Sequence, residues 1–336
     1  MMTMSWDALA NRVIEGQHAT RDELLAVLRS HDNELLAVLQ AAFKVRAHHH
    51  GRKVKVHVLQ NAKSGQCPED CAFCSQSIRF QAPIERYPMQ QVDELVEAAR
   101  AAAANGAYMY CMVTSTRGPT ARELETICEA TRRIKSELPV RVCASLGILK
   151  PGQASKLAEA GVDRYNHNIE TSQRHFPNIV HTHRWSDRVD TIREAKSHGL
   201  EACCGGIMGL GEDEEDRVDM AIALRELEVE SVPVNFLDPR PGTPLSEAPR
   251  LNPAQCLRAL AMFRFACPAA DVRVAGGREV SLGSMQPLAL WAANSMFTNG
   301  YLTTGGAQAS DDWRMIQQAG FEPYVADGPL RESCGG

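Results

Sequence analysis

Leu24, Leu25, Leu28, Leu35, Leu36, Leu39 and Phe43 recur at helical spacing with charged residues between them, so residues 5 to 49 read as a helical lead-in. From residue 53 onward the pattern changes to short β-rich runs alternating with longer amphipathic stretches. Strands are predicted near residues 54–60, 107–114, 140–145, 163–169, 201–207, 231–237, 271–275 and 294–298. The stretches between them carry helix signals. Thr120 with Glu123 forms a capping box before Leu124, Ile127 and Cys128, and Asn252 followed by Pro253 is an N-cap with proline at the first helical position. The acidic run Asp213 to Asp216 suits the first turn of another helix, where the dipole favours negative charge.

Eight strand–helix repeats predict an α/β fold, a (β/α)8 TIM-type barrel with an N-terminal helical extension and its active site at the C-terminal ends of the strands. A doubly wound open sheet is the alternative. The expected division is a helical extension over 1–50, a barrel over 51–320 and a loosely structured tail over 321–336.

Composition narrows the function classes. The 336 residues are 44% hydrophobic and 23% charged, with no apolar run near the ~18 residues that would suggest a membrane span. A net charge of −5, a pI near 6.1 and scattered basic residues argue against a nucleic-acid partner. The first residues carry early acids and no apolar core before a cleavage site, so a cytoplasmic location is expected. Eleven cysteines are too many for a reducing compartment without a metal or redox reason. His48, His49 and His50 lack the i, i+4 spacing of helical metal pairs and read as solvated.

Cys67, Cys71 and Cys74 form C-x3-C-x2-C in QCPEDCAFCSQS, directly after the first predicted strand. Three thiolates on one short loop can converge on a single metal centre, where a barrel places its chemistry. Structural zinc is the alternative, although it prefers four ligands from paired knuckles and no second knuckle follows. The spacing resembles the signature of the radical S-adenosylmethionine (SAM) superfamily. That resemblance implies a [4Fe–4S] cluster with one iron left open to the amino and carboxylate groups of SAM, which is cleaved to methionine and a 5′-deoxyadenosyl radical. Phe73, before the third cysteine, then offers an aromatic wall for the adenine where the family often has Tyr; otherwise it packs the loop.

Polar residues also fall inside predicted strands. Cys111, Cys143, Cys203 and Arg273 come from four of them, and any one cysteine alone reads as a small buried hydrophobe. In YNHNIETS, Asn166, Asn168 and Glu170 alternate with Tyr165, His167 and Ile169, so one row faces the interior, where amides and a carboxylate need a ligand. Cys204, next to Cys203, must face the other way. Cys128, Cys256, Cys267 and Cys334 read as structural or incidental. The glycines of GGIMGLGE read as close-approach surface for a ligand.

These positions and their flanks resemble the biotin synthase family from about residue 50 to 320. The resemblance implies a sulfurtransferase that inserts sulfur into dethiobiotin, with a [2Fe–2S] cluster held by Cys111, Cys143, Cys203 and Arg273 as the sulfur source. It implies further that Asn168 and Glu170 meet the SAM ribose, and that Asn168 also meets the substrate. Glu170 stands where Asp is commonest. Asn235 would recognise the ureido ring, for which an amide offers donor and acceptor, and Arg188 would pair with the SAM carboxylate. A flavodoxin or ferredoxin electron donor, iron–sulfur assembly proteins and a homodimer are the implied partners. The rivals are another radical SAM barrel, such as a hydrogenase-cluster maturase or a methylornithine synthase, and a non-catalytic iron–sulfur or zinc protein.

Overall fold

A computed structural model describes residues 5–298, 302 and 309–324. Three helices precede the first strand: α1 (Trp6–Ile14), α2 (Arg21–Leu28) and α3 (Leu35–His50). Ser5 caps α1, and Thr20 closes a capping box with Glu23 on α2. Most of the leucines that predict these helices are buried, but Leu36 is 68% exposed. The histidine run also splits. His48 and His49 are exposed, whereas His50 turns inward, its Nε2 3.3 Å from Arg264 Nη1. Burial and that guanidinium push the His50 imidazole down to about 3.

The rest of the chain runs β1 (Lys53–Lys63), α4 (Val92–Ala104), β2 (Met109–Thr114), α5 (Ala121–Glu137), β3 (Arg141–Ser145), α6 (Gln153–Glu159), β4 (Arg164–Asn166) and α7 (Trp185–Ser197). It continues with β5 (Glu201–Cys203), β6 (Gly206–Met208), α8 (Glu214–Glu226), β7 (Ser231–Phe236), α9 (Pro253–Ala266), β8 (Asp271–Val274), α10 (Arg278–Leu282), α11 (Gln286–Ala289), β9 (Ser295–Thr298), α12 (Ala309–Gln318) and β10 (Glu322–Pro323). The predicted caps are present, Thr120 on α5 and Asn252 on α9 with Pro253 at its first position; of the acidic run, Glu214, Glu215 and Asp216 fill the first turn of α8, while Asp213 stands just before it as the cap.

All pairings between these strands are parallel, and β9 closes on β1 from Lys55↔Ser295 to Val58↔Thr298, so the sheet is a closed (β/α)8 barrel rather than an open one. The single strand expected over 201–207 is two pieces, β5 and β6, which share one stave against β7. Gly205 lies at the break because a Cβ there would sit 2.0 Å from the Pro233 carbonyl oxygen. Residues 321–324 are not loose. Phe321 is buried under the Arg46 guanidinium, and β10 pairs with the start of β1. Residues 325–336, with Cys334, lie outside the described residues.

Alternation along the strands sorts the barrel into an outer and an inner layer. Tyr110, Met112, Val142 and Ala144 join the core between strands and helices, while Met109, Cys111, Cys143, Ala275 and Phe297 pack together inside. Cys204 goes to the outer core with Ala202 and Ile169. Cys128, Cys256 and Cys267 sit buried on or at the end of α5 and α9, as expected of packing residues. Among the described residues no helix is long and apolar enough to cross a membrane.

Candidate active site

The C-terminal ends of the strands open on a cavity of about 290 Å3. Cys67, Cys71, Cys74 and Phe73 line it, and so do Cys111, Asn168, Glu170, Arg188, Asn235 and Arg273. Ten of the twelve residues singled out from the sequence therefore share one cavity wall. Cys143 and Cys203 do not reach that wall. They lie in the barrel interior, fully buried, where Cys143 is the register partner of Cys111 and Cys203 Sγ is 3.5 Å from Arg273 Nη1.

The loop after β1 is irregular, so its shape comes from individual hydrogen bonds rather than a ladder. Cys67 N–H donates to Gln76 O, Ile78 N–H to Cys67 O and Ala72 N–H to Ile179 O, at 2.9–3.2 Å. Asp70 fastens the loop to the segment before α7 by accepting from the backbone N–H of His181 and of Thr182 at 3.0 and 3.1 Å. Burial alone would raise the Asp70 carboxyl, but these bonds hold it at about 2. Phe73 packs with Cys71, Phe176 and Ile179 while also facing the cavity.

Arg188, on the buried face of α7, is the hub of the mouth. Its Nη1 donates to Asn168 O at 2.8 Å and to Glu170 Oε1 at 3.2 Å, and its Nη2 lies 3.8 Å from Cys71 Sγ. Its Nε donates to His183 Nε2 at 2.9 Å. An arginine can only donate, so the proton of a neutral His183 is on Nδ1, which donates to Glu69 Oε2. Burial and Arg188 lower the His183 imidazole, against the opposing pull of Glu69. Burial raises the Glu69 carboxyl, but bonds from Thr182, His183 and Arg117 outweigh it and leave Glu69 below the ordinary carboxylate range. This Glu69–His183–Arg188 relay does not emerge from the sequence reading. Its signal is local: Glu69 lies between the first two loop cysteines, and HTHR precedes α7.

The polar row of YNHNIETS is only half a strand. β4 stops at Asn166, and Glu170 takes a left-handed backbone (φ 68°), bridging to Gly206. His167, expected on the face opposite Asn166 and Asn168, consequently also lines the cavity. Asn168 Oδ1 accepts from Gly205 N–H at 3.1 Å. Asn235 braces two backbones, donating to Gly206 O at 3.1 Å and accepting from Gly276 N–H at 2.9 Å. Its amide still keeps one N–H and one lone pair. Of the glycines in GGIMGLGE, Gly206 lets strands approach, since a Cβ there would meet Glu170 O at 2.3 Å, while Gly209 and Gly211 take left-handed backbone at φ 100° and 93°.

Below the cavity the barrel is floored by charge. Asp271 accepts from Lys55 at 2.9 Å, Asn294 at 2.8 Å and Arg164 at 3.3 Å; Glu201 accepts from Arg141 and Arg164, each at 2.7 Å. Arg273, above this floor, donates Nη2 to Ser231 Oγ at 2.9 Å and lies 3.4 Å from His57 Nε2. Burial first, and Arg273 second, depress the His57 imidazole well below its ordinary value.

The donor set suits an iron–sulfur group. Cys67, Cys71 and Cys74 are free thiols on one cavity wall, and burial pushes the Cys74 thiol up to about 11, so the protons must leave when a metal binds. Among the described residues no three His, Cys, Asp or Glu side chains close tightly enough to hold a single ion. Several buried polar atoms of the cavity wall have no partner among the described residues: Glu170 Oε2, His167 Nε2, Thr114 Oγ1 and Arg273 Nε. A polar ligand would satisfy them.

Comparison with known proteins agrees with this architecture. The Radical SAM superfamily profile matches residues 63–224, and the Biotin and Thiamin Synthesis associated domain matches 233–322. A biotin synthase of Salinibacter ruber is 62% identical over 330 residues, covering 98% of this chain and 92% of that protein. A biotin synthase of Halalkalibacterium halodurans is 48% identical over 319 residues, covering 95% and 96%. The crystal structure of a methylornithine synthase superposes with a TM-score of 0.83 over 94% of this chain and 97% of its own, at 21% identity, a likeness of fold alone. A closed (β/α)8 barrel with the cysteine loop after its first strand is the radical SAM class of enzyme. Within that class, the chain belongs to the biotin synthase family.

Proposed function

We propose that this chain inserts sulfur into dethiobiotin to form biotin, as a SAM-dependent sulfurtransferase. The observation that carries this reading is the interior set. Cys111 and Cys143 are register partners, and Arg273 donates to Cys203, in a buried set whose Cys111 and Arg273 reach the cavity that the loop cysteines line. A radical SAM barrel that needed only the loop cluster would have no use for three more thiols and a guanidinium inside.

On this reading Cys67, Cys71 and Cys74 hold a [4Fe–4S] cluster, and Cys111, Cys143, Cys203 and Arg273 hold a [2Fe–2S] cluster. When bound, the first supplies the electron that cleaves SAM and the second supplies sulfur. The chain's own groups do the rest. Arg188 presents a guanidinium to the SAM carboxylate. Glu170 Oε2, buried and without a partner among the described residues, accepts a ribose hydroxyl beside Asn168. Burial raises the Glu170 carboxyl and Arg188 opposes that rise, so the carboxylate is held by a partner that the ligand shares. Asn235 uses its spare N–H and lone pair on the ureido ring, and its two backbone bonds fix the amide plane in advance. Leu59, Val113 and Leu237 give the cavity an apolar wall that keeps water from the reacting atoms. A flavodoxin- or ferredoxin-type protein is the reductant, iron–sulfur assembly proteins load the clusters, and a homodimer is the family state.

Anaerobic reconstitution with iron and sulfide, followed by incubation with SAM, dethiobiotin and a reductant, tests this reading. Biotin and 5′-deoxyadenosine should both form. Formation of 5′-deoxyadenosine without biotin, with the interior cluster present, would overturn the substrate.

A further inference from the structure

Among the described residues, Arg164 is the one interior cation that touches both carboxylates of the barrel floor. It is 2% exposed, on the rung between Cys143 of β3 and Glu201 of β5. Its Nε and Nη2 are spent on Glu201 at 2.9 and 2.7 Å, and Nη2 also reaches Asp271 at 3.3 Å. Its third nitrogen, Nη1, is buried and has no partner among the described residues. A buried guanidinium N–H left unpaired forfeits the hydration it had in water, so the position favours an acceptor. Its register partner on β3 is Cys143, and Cys203 lies two residues beyond its β5 partner Glu201, so both thiols stand on the strands that flank it.

We propose that Arg164 Nη1–H donates to the thiolate and sulfide shell of the group held by Cys111, Cys143, Cys203 and Arg273. Arg164 thereby sets the reduction potential of that group. The proposal rests on the interior-cluster reading above. Glu201 and Asp271 hold Nε and Nη2, which leaves the Nη1 edge, with its charge only partly offset, for sulfur. A positive charge and an N–H···S bond both favour the more electron-rich state, so Arg164 raises the potential of the interior cluster. The loop cluster, on a separate segment, is untouched.

The test is a potentiometric titration, followed by absorption, of the reconstituted full chain as wild type, Arg164→Lys, Arg164→Gln and Lys55→Met. Arg164→Lys keeps the charge but gives its single head to the carboxylates. It should lower the interior-cluster midpoint by about tenfold in the reduction equilibrium, roughly 59 mV for one electron. Arg164→Gln, which also drops the charge, should lower it further. Lys55→Met takes a cation from the same Asp271 without removing a donor to sulfur, and should shift it less than Arg164→Lys. A wild-type midpoint in the Arg164 variants, or an equal shift in Lys55→Met, overturns the proposal. So does loss of cooperative melting of the cluster-free chain in both Arg164 variants, since Arg164 would then be a structural tie of the floor. Failure of the wild type to assemble a second cluster overturns instead the reading on which the proposal rests.

Discussion

The mouth and the interior of the barrel hold their cysteines in opposite ways. At the mouth, Cys67, Cys71 and Cys74 ride an irregular segment tied down by side chains, above all Asp70 on the backbone of His181 and Thr182. In the interior, Cys111, Cys143 and Cys203 ride strands whose positions are set by ladder bonds around a closed sheet. A loop can shift by a bond rotation to suit what it holds, whereas a strand can move a side chain only by changing register, which turns it to the other face. The mouth is therefore adaptable and sensitive to its tethers. The interior is rigid and sensitive to which face a residue takes.

The largest expected effect is at the mouth. Cys67→Ala, Cys71→Ala or Cys74→Ala should each abolish reductive SAM cleavage while leaving the interior cluster's absorption in place. 5′-Deoxyadenosine released at the wild-type rate from any of them would break the division between the two regions.

Adjacent residues test the interior. Cys203→Ala should lose the interior-cluster absorption and biotin formation but keep SAM cleavage. Cys204→Ala, in the outer core with Ala202 and Ile169, should keep both clusters at a packing cost of no more than about 1 kcal/mol. The reverse pattern, an inactive Cys204→Ala and an active Cys203→Ala, would mean that the faces of β5 are exchanged.

Asn235 stands between the regions. Asn235→Ala should weaken dethiobiotin binding by about 1–3 kcal/mol and SAM binding by less. It should also lower the melting temperature, because Gly206 O and Gly276 N–H lose their partner. Equal weakening of both ligands, measured by calorimetry, would leave Asn235 only its bracing role.

The smallest effect is in acid. Asp70 titrates at about 2 in the folded chain against roughly 3.9 when unfolded, so its contribution is complete above about pH 4 and is lost as pH falls from there towards about 2. Asp271 is held lower still by Lys55 and Arg164 against the opposing effect of burial. Hydrogen exchange on the cluster-free chain should therefore rise over residues 67–74 before it rises along β8. Simultaneous release would show that the loop has no separate tether.

What is legible in the sequence divides along the same line. The loop cysteines form a local motif, so spacing alone exposes them. The strand cysteines become a set only through the resemblance to the biotin synthase family, each alone reading as a small buried hydrophobe, and alternation sends Cys203 and Cys204 to opposite faces. Local irregularity escapes. In EACCGGIM the pair Gly205-Gly206 is a break signal that reads equally as close-approach surface for a ligand, and only the Pro233 carbonyl of a neighbouring strand shows why the strand is interrupted there. YNHNIETS reads as a strand to its end, yet Glu170 leaves extended geometry to bridge to Gly206. The charged floor is hidden for another reason. Lys55, Arg164, Glu201 and Asp271 each look like a strand-edge charge until closure sets them face to face.

Closure also has a consequence for how the chain is made. The free side of β1 finds its partner only when Ser295–Thr298 has left the ribosome, about 240 residues after β1 itself. At about 5–20 residues per second that is on the order of ten seconds to a minute during which a strand edge rich in valine stands unpaired. The nascent barrel is in that interval an open sheet, the topology that the finished chain excludes. Any shielding of the β1 edge during synthesis, by a chaperone for instance, would act on yield without touching the finished enzyme.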